Sequence, residues 1–164
     1  NLKSDPIMYP ASSNELNRET ESEVYFFTPA FYPLDNFSAH GVRIWGRDFP
    51  TAEHAFQWKK FSESNPAVAE RIFHAPSPHI AKEIANANTN TRPQDWIEKR
   101  VSVMEEILRA KAAQHEDVRS ALERTGTRTI KENSPVDLFW GIGPNGTGDN
   151  TLGVLWMKIR VSGI

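Results

Sequence analysis

Apolar side chains at intervals of three and four residues predict two long helices. The first covers about residues 94–114, and its apolar stripe consists of Ile97, Val101, Met104, Ile107 and Leu108. The second begins after Asn150 as capping residue, and its apolar side is formed by Leu152, Leu155, Trp156 and Ile159. Lys111 continues the first stripe, which predicts a side chain that either extends outward to solvent or reaches a buried acid.

Local signals predict four more helices. Three begin after a side chain that can accept a hydrogen bond from the first helical turn, proline at the first helical position marks two of these, and the fourth is a short segment that stops at Gly126. These helices begin at Thr51, Asn65-Pro66, Ser77-Pro78 and Asp117, the first ending near Phe61 and the last at Arg124.

Short apolar and aromatic runs predict the strands. The runs are Val24–Phe27, Val42–Trp45 with Arg47–Phe49 on either side of Gly46, and Arg128–Lys131. The pair around Gly46 is typical of a tight hairpin or of a bulged strand. Because helices predominate and no repeat is present, we expect a single α+β domain that is mainly α-helical and carries a small β-sheet or hairpin.

Composition limits the partners and the compartment. Residues 1–22 have few apolar side chains, so we expect a flexible tail, followed by a folded domain over residues 23–164. The formal net charge is −2, which predicts that any nucleic-acid contact is short and local. The chain has no cysteine and no apolar run long enough to cross a bilayer. We therefore expect a cytoplasmic or nuclear monomer without membrane contact.

The predicted helix after Thr51 carries the first candidate site. Spacings of four and three residues place Glu53, Gln57 and Lys60 on one face. A solvated surface would explain this stripe equally well. The surrounding aromatic residues favour a cavity instead, because they indicate a helix that is buried on most sides: Phe49, Phe56, Trp58 and Phe61.

The segment Asp137–Gly141 is the second candidate. Asp137 lies close to Trp140, which suggests a surface for base stacking with an acid at hand. The glycine-rich residues 143–150 that follow could hold a diphosphate at the start of the last helix. A plain turn is the more economical interpretation, since the lysine of a phosphate-binding loop is missing.

Trp96 and the five histidines are the remaining candidates for contact with a ligand or a metal. Trp96, at the start of the longest predicted helix, could close the core or stack on a ligand. The five histidines show no metal-like pairing on a helix face, so we expect no catalytic metal and no cofactor.

Several of these segments together resemble the NADAR family, which is named for NAD and ADP-ribose and is also called YbiA-like. The resemblance extends from about Tyr25 to Arg160 and is carried by Pro33–Phe37, Phe49–Lys60, Asp95-Trp96, Asp137–Gly141 and Gly148–Gly153. Members are N-glycosidases; some cleave ribosylamine intermediates of riboflavin synthesis, and others remove ADP-ribose from guanine. The chain departs from the family at Ala112, where phenylalanine is common, and at Asp35, where serine is common.

The resemblance implies roles for individual residues. Glu53, Lys60 and Asp137 fall on the family's functional acid, lysine and aspartate, so they are the expected catalytic residues. The expected substrate-binding residues are Asn36, Phe37, His54, Gln57, Trp96, Trp140 and Gly141. A carboxylate can stabilise the positive charge that develops on ribose, and a desolvated lysine can form a Schiff base with its open form.

From the resemblance we expect hydrolysis of a ribosyl C1–N bond, with ADP-ribose or ADP-ribosylated guanine as the ligand. Among the candidate substrates we favour ADP-ribosylated guanine, on DNA or as a nucleotide. The glycine-rich loop could bind its diphosphate, and no riboflavin-pathway enzyme is fused to these residues. The alternative substrates are ribosylamino-pyrimidine phosphates of riboflavin synthesis. A non-catalytic ADP-ribose-binding module is the alternative of another class, although it would not need Glu53, Lys60 and Asp137 together.

Overall fold

The computed structural model describes residues 17–27 and 32–164, which form six α-helices, five short strands and two 3-10 turns. The strands are β1 (Arg18–Glu19), β2 (Glu23–Phe26), β3 (Val42–Ile44), β4 (Arg47–Phe49) and β5 (Thr129–Glu132). The helices are α1 (Ala52–Phe61), α2 (Pro66–Phe73), α3 (Pro78–Ala87), α4 (Trp96–Gln114), α5 (Glu116–Arg124) and α6 (Thr151–Ser162). The 3-10 turns are Tyr32–Leu34 and Thr89–Thr91. The predicted mainly α-helical α+β fold is confirmed, and no helix in the described ranges is long and apolar enough to cross a membrane.

The predicted starts of α1, α2 and α3 are confirmed by their capping hydrogen bonds. Thr51 Oγ1 accepts from the backbone N–H of His54 at 3.1 Å. Asn65 and Ser77 accept in the same way from the third residue of their helices, at 3.3 and 3.2 Å. These side chains satisfy N–H groups that the helix itself leaves without a partner.

The chain divides into two compact units, and the second unit comprises Asn36–Glu116. Within it, helix α1 packs against α2, α3, α4 and the β3–β4 hairpin. One apolar cluster of this unit joins the end of α1 to α2 and α3: Phe61, Val68, Ala69, Ile72, Ala75, Ala81 and Ala85. The arrangement leaves α1 in the interior of its unit.

The buried face of α4 differs from the predicted stripe. Ile97 is 47% exposed, whereas Val103, which the stripe omitted, is 8% exposed. Trp96 occupies the buried position at the start of the helix, and the next residue along is turned by about 100° away from it. The prediction was therefore wrong for Ile97, and the buried side runs through Trp96, Val103, Met104, Ile107, Leu108, Lys111 and Ala112.

Lys111 lies at the end of this buried face and is fully buried. Its Nζ donates a hydrogen bond to Ser38 Oγ at 2.8 Å, and the same hydroxyl lies 2.8 Å from Nδ1 of His40. The predicted outward path to solvent is wrong, because a polar partner inside the unit receives the ammonium group.

The first unit comprises residues 1–35 and 117–164 and contains a three-stranded sheet in the order β1, β2, β5. Strands β1 and β2 are antiparallel, whereas β2 and β5 are parallel, with Val24 opposite Ile130. Both of these side chains are fully buried, and α6 packs on β5. Trp156 of α6 donates through Nε1 to the Leu34 carbonyl at 3.0 Å, which satisfies the buried indole.

Asn150 precedes α6 as predicted but does not cap it through its side chain. Its backbone is left-handed, with φ 54°, and the amide reaches strand β5 instead. Oδ1 accepts from the N–H of Glu132 and Nδ2 donates to the carbonyl of Ile130, both at 2.8 Å. The residue therefore joins α6 to β5.

The expected flexible tail also needs correction where the structure describes it. Residues 1–16 lie outside the described residues, but residues 17–22 are ordered parts of the first unit. Asn17 is buried and accepts from the N–H of Phe27 at 2.8 Å. Glu19 lies in β1, and Arg128 binds its carboxylate at 2.7 Å. Residues 18–19 are part of the fold because they pair with β2 and Glu19 binds Arg128 of the same unit.

We expect deletion of residues 1–22 to lower the melting temperature, because it removes β1 and leaves the Arg128 guanidinium without its carboxylate. A loss of about 2–3 kcal/mol corresponds to roughly 5–10 °C for a chain of this length. Deletion of residues 1–16 is the matched control and should change the melting temperature by less than about 2 °C. Equal melting temperatures for the two deletions, measured by circular dichroism, would contradict a structural role for β1.

Candidate functional site

Glu53 and Gln57 form the centre of the candidate site in the second unit. Their side chains are 6% and 4% exposed, and Gln57 Nε2 donates to Glu53 Oε1 at 2.8 Å. The backbone N–H of Glu53 donates to the Asn36 carbonyl at 3.1 Å. The polar stripe therefore faces the interior, and the solvated-surface alternative is excluded.

Lys60 continues the stripe and lies against two aromatic rings. Its Nζ is 5.7 Å from the ring centroid of Phe56 and 5.8 Å from that of Trp96. The two rings are 5.2 Å apart and inclined by 56°. Trp96 is only 4% exposed, so it forms a wall of the core beside Lys60 and offers little open face for stacking.

Burial lowers the pKa of Lys60 from 10.5 to about 8. The charge of Glu53 opposes this shift, while the positive charges of Arg92, Lys82 and Arg100 add to it. With a pKa near 8, about a tenth of the molecules carry the uncharged amine at pH 7. The environment of Lys60 thus favours a nucleophilic amine, and Glu53 lies on the same helical face.

Asn36 and Phe37 lie beside this stripe in the same unit. Asn36 Nδ2 donates to Met104 Sδ at 3.4 Å. Its Oδ1 and the Oε1 of Gln57 are buried and have no hydrogen-bond partner among the described residues. Two amide oxygens of this kind can accept hydrogen bonds from sugar hydroxyl groups. Phe37 is half-buried, and the centroid of its ring lies 4.7 Å from that of the His79 ring.

His54 follows Glu53 in the chain but is held by the core. Its Nδ1 lies 2.8 Å from Thr51 Oγ1, and its Nε2 lies 3.0 Å from the Ala75 carbonyl. Burial lowers the pKa of the imidazole. Both ring nitrogens are engaged within the unit, so the structure favours a role in packing the start of α1 over the predicted contact with substrate.

Asp137 and Trp140 belong to a turn in the first unit. Asp137 Oδ1 accepts from the N–H groups of Phe139 and Trp140, at 2.9 and 2.8 Å. The ring of Trp140 is half-buried and meets that of Phe139 edge-on at 4.8 Å. The carboxylate therefore fixes the turn that presents the indole, which is a positioning function in addition to the predicted catalytic one.

The N–H groups at the end of the glycine-rich segment, before and at the start of α6, are used within the loop. They donate to carbonyls of the same loop at 2.7–3.1 Å. The donors are Gly148, Asp149, Asn150, Thr151 and Leu152, and the acceptors are Ile142, Leu138, Gly141, Phe139 and Trp140. These hydrogen bonds favour the interpretation as a plain turn, because the five donors are already used.

Close packing of the same turn explains why residue 141 is a glycine. A Cβ atom at this position would lie 3.0 Å from the Glu132 carbonyl oxygen, and the next residue, Ile142, donates its N–H to that carbonyl at 2.9 Å. A larger residue would separate the turn from strand β5. The structure thus gives Gly141 a packing role, while its contact with substrate stays a prediction.

The comparisons with known proteins place this arrangement in a family. The model of the NADAR domain matches residues 17–162. The chain belongs to the NADAR domain family. One relative, the N-glycosidase Npun_R5314 of Nostoc punctiforme, is 36% identical over 128 residues, which cover 77% of this chain and 82% of that protein. The N-glycosidase YbiA of Escherichia coli is 31% identical, with coverage of 87% and 88%.

A solved structure and a longer relative extend this comparison. The NMR structure of E. coli YbiA superimposes with a TM-score of 0.78 at 29% identity, covering 90% of this chain and 88% of that one. The Riboflavin biosynthesis protein VVA0006 of Vibrio vulnificus is 32% identical over 94% of this chain, which corresponds to 41% of that protein. The NADAR domain described here is thus related to proteins named N-glycosidases and also to part of a riboflavin biosynthesis protein.

Sequence reasoning missed three cations of this NADAR domain that act on Lys60: Lys82, Arg92 and Arg100. The position of Arg100, four residues after Trp96 on one helix face, was a usable signal. The sequence carries no such signal for Arg92 and Lys82, because their effect on Lys60 depends on the packing of the second unit. Among residues 17–27 and 32–164, no group of three His, Asp or Glu side chains forms a metal site.

We expect Glu53→Gln to lower the pKa of Lys60 by roughly one unit, because it removes the negative charge that favours the ammonium form. The midpoint of Lys60 acylation against pH, followed by peptide mapping, should move from about 8 to near 7. The exposed Glu63→Gln is the matched control and should leave this midpoint in place. An unchanged midpoint in Glu53→Gln would show that the two side chains are not electrostatically coupled.

Proposed function

We propose that this protein is an N-glycosidase that hydrolyses a ribosyl C1–N bond. The observation that carries the proposal is the buried carboxylate of Glu53, held by Gln57 on the helix face that also bears Lys60. A binding module has no need to bury a carboxylate beside an amine with a lowered pKa. Both groups suit a reaction in which positive charge develops on a sugar.

Direct hydrolysis is one route. As the C1–N bond lengthens, C1 and the ring oxygen share positive charge, and the Glu53 carboxylate stabilises it. Water then adds to C1 and gives one proton to the departing base, so that the products are the sugar with a hydroxyl on C1 and the base with an N–H in place of the C1–N bond. In this route Gln57 holds the carboxylate, and the buried amide oxygens of Asn36 and Gln57 accept from ribose hydroxyl groups.

A covalent route uses Lys60. The ribosylamine opens to an imine at C1, the free amine of Lys60 adds to that carbon, and the base leaves with a proton. The resulting Lys60–ribose imine is hydrolysed by water to the aldehyde, which closes to ribose. The pKa of about 8 supports this route, because an amine must lose its proton before it can attack.

In the first unit, Trp140 and Asp137 are the residues predicted to contact the base. Trp140 offers a half-exposed indole, and the neighbouring Leu138 is 57% exposed. Stacking of a nucleobase on such a surface contributes about 1–3 kcal/mol to the binding free energy. Asp137 holds Trp140 in place, and we assign it this positioning function together with the predicted contact to the departing base.

We propose ADP-ribosylated guanine, on DNA or as a nucleotide, as the substrate. This substrate carries two purine bases. The choice is supported by the indole of Trp140, because a purine can stack on it. Ribosylamino-pyrimidine phosphates are the second candidate, favoured by the similarity to the Vibrio riboflavin biosynthesis protein. The two candidates share a ribose with a C1–N bond and a phosphate on its 5′ carbon.

Incubation with ADP-ribosyl-guanine DNA and, separately, with the ribosylamino-pyrimidine phosphate should give product from the first, as measured by mass spectrometry. Glu53→Gln should lower kcat/KM by about 30-fold or more, because removing one preorganised electrostatic group costs at least about 2 kcal/mol. Glu63→Gln should retain wild-type turnover. Product from the pyrimidine alone would select the second candidate, and no product from either would favour a non-catalytic ADP-ribose-binding module.

If the covalent route operates, cyanoborohydride added during turnover should trap an adduct on Lys60 with the mass of ADP-ribose less one oxygen. Lys60→Arg should abolish the adduct, whereas the adjacent Lys59→Arg should not. Trapping should become about tenfold faster between pH 7 and pH 9, since the uncharged amine of Lys60 increases through its pKa of about 8. Turnover without an adduct in peptide maps would leave direct hydrolysis as the route.

A further inference from the structure

Three buried polar side chains of the second unit meet near the end of α4, and the proposed reaction uses none of them. Lys111 and Ser38 are fully buried, and His40 is 8% exposed. Lys111 Nζ donates to Ser38 Oγ at 2.8 Å, and Nδ1 of His40 lies 2.8 Å from the same oxygen. Burial of an ammonium group is costly even when it is hydrogen-bonded, and an apolar side chain of similar volume is often at least as stable. Stability alone therefore does not explain a lysine at this position.

The hydroxyl that binds Lys111 belongs to the segment that holds the start of α1. Two residues before Ser38, the carbonyl of Asn36 accepts from the N–H of Glu53 at 3.1 Å. This N–H belongs to the first turn of α1, whose donors have no partner within the helix itself. The position of Asn36 therefore bears directly on the backbone that carries the Glu53 carboxylate.

Helix α4 binds the same segment at a second point. Asn36 Nδ2 donates to Met104 Sδ at 3.4 Å. Met104 and Lys111 both lie on the buried face of α4 and are separated by two helical turns. A thioether sulfur is a weak acceptor, whereas a hydrogen bond from an ammonium group is a strong one. Of these two contacts, the one between Lys111 and Ser38 therefore contributes more to fixing the segment.

We propose that Lys111 is a positioning residue for the glycosidase reaction. Through Ser38 it fixes residues 36–38, and Asn36 in turn holds the start of α1 with Glu53. This inference rests on the proposed function and adds a residue that acts without touching the substrate. A displacement of about 1 Å caused by a distant change can cost about 100-fold in rate. The loss falls on kcat, because the Glu53 carboxylate acts on charge that develops only in the transition state.

The first test measures the exchange of the Glu53 amide hydrogen by NMR, which needs no turnover. Lys111→Met keeps a long side chain and removes the ammonium group, so the Glu53 amide should exchange at least about fivefold faster. The His54 amide is the internal control, because Thr51 Oγ1 accepts from it at 3.1 Å independently of residues 36–38. Its exchange rate should stay that of the wild type. An unchanged rate at Glu53 would overturn the positioning function.

The second test is steady-state kinetics on ADP-ribosyl-guanine DNA, or on the ribosylamino-pyrimidine phosphate if only that one is turned over. Lys111→Met should lower kcat by about tenfold or more and change KM by less than about threefold. Gln114→Ala is the matched control. Gln114 also lies at the end of α4, but its amide binds the backbone N–H and carbonyl of Arg43, both at 2.8 Å. This variant should keep the wild-type kcat, and an equal loss in both variants would contradict the proposal.

A double variant separates positioning from stability. Ser38→Ala alone removes an acceptor of the buried ammonium and should destabilise the fold. Replacing both partners by apolar groups is nearly neutral for stability, so Ser38→Ala/Lys111→Met should melt within about 3 °C of the wild type. Its Glu53 amide should still exchange faster, and its kcat should stay as low as that of Lys111→Met.

Wild-type kcat in this double variant would show that the pair only stabilises the fold, and would overturn the proposal. Faster exchange at Glu53 without turnover of either substrate by the wild type would contradict the proposed glycosidase activity instead. The link from Lys111 through Ser38 to Glu53 would then stand on the exchange data alone.

Discussion

Helix α1 is packed against α2, α3, α4 and the β3–β4 hairpin, and the chemistry of the second unit depends on this packing. It places the carboxylate of Glu53 in the interior, where Gln57 is its neighbour on the next turn and donates to it. It also removes Lys60 from water far enough to lower the pKa of its amine. A surface helix with the same three residues would contribute only a few tenths of a kcal/mol and would not perturb a lysine.

In the first unit, hydrogen bonds within one loop hold the start of α6 in place. The N–H groups before and at the start of α6 donate to carbonyls of residues 138–142, and Asn150 joins the helix to strand β5. Asp137 closes the preceding turn and orients Trp140. Hydrogen bonds within the first unit therefore hold the turn that carries the Trp140 indole.

The sequence predicted those features that local chemistry determines. Thr51, Asn65 and Ser77 begin helices because their side chains accept from the first turn, and the face shared by Glu53, Gln57 and Lys60 follows from helical periodicity alone. Features set by distant neighbours were not predictable. The exposure of Ile97, the partner of Lys111, the strand at Arg18–Glu19 and the effect of Lys82, Arg92 and Arg100 on Lys60 depend on which elements pack together.

We propose that Glu53 and Lys60 act in one reaction on one helix face, and a double-mutant cycle tests this most directly. The single-turnover rate of C1–N cleavage is measured for the wild type, Glu53→Gln, Lys60→Arg and the double variant. Side chains that serve the same step give non-additive losses, so the double variant should be about as slow as the slower single variant. Losses that multiply to within about twofold would show independent contributions and contradict the account.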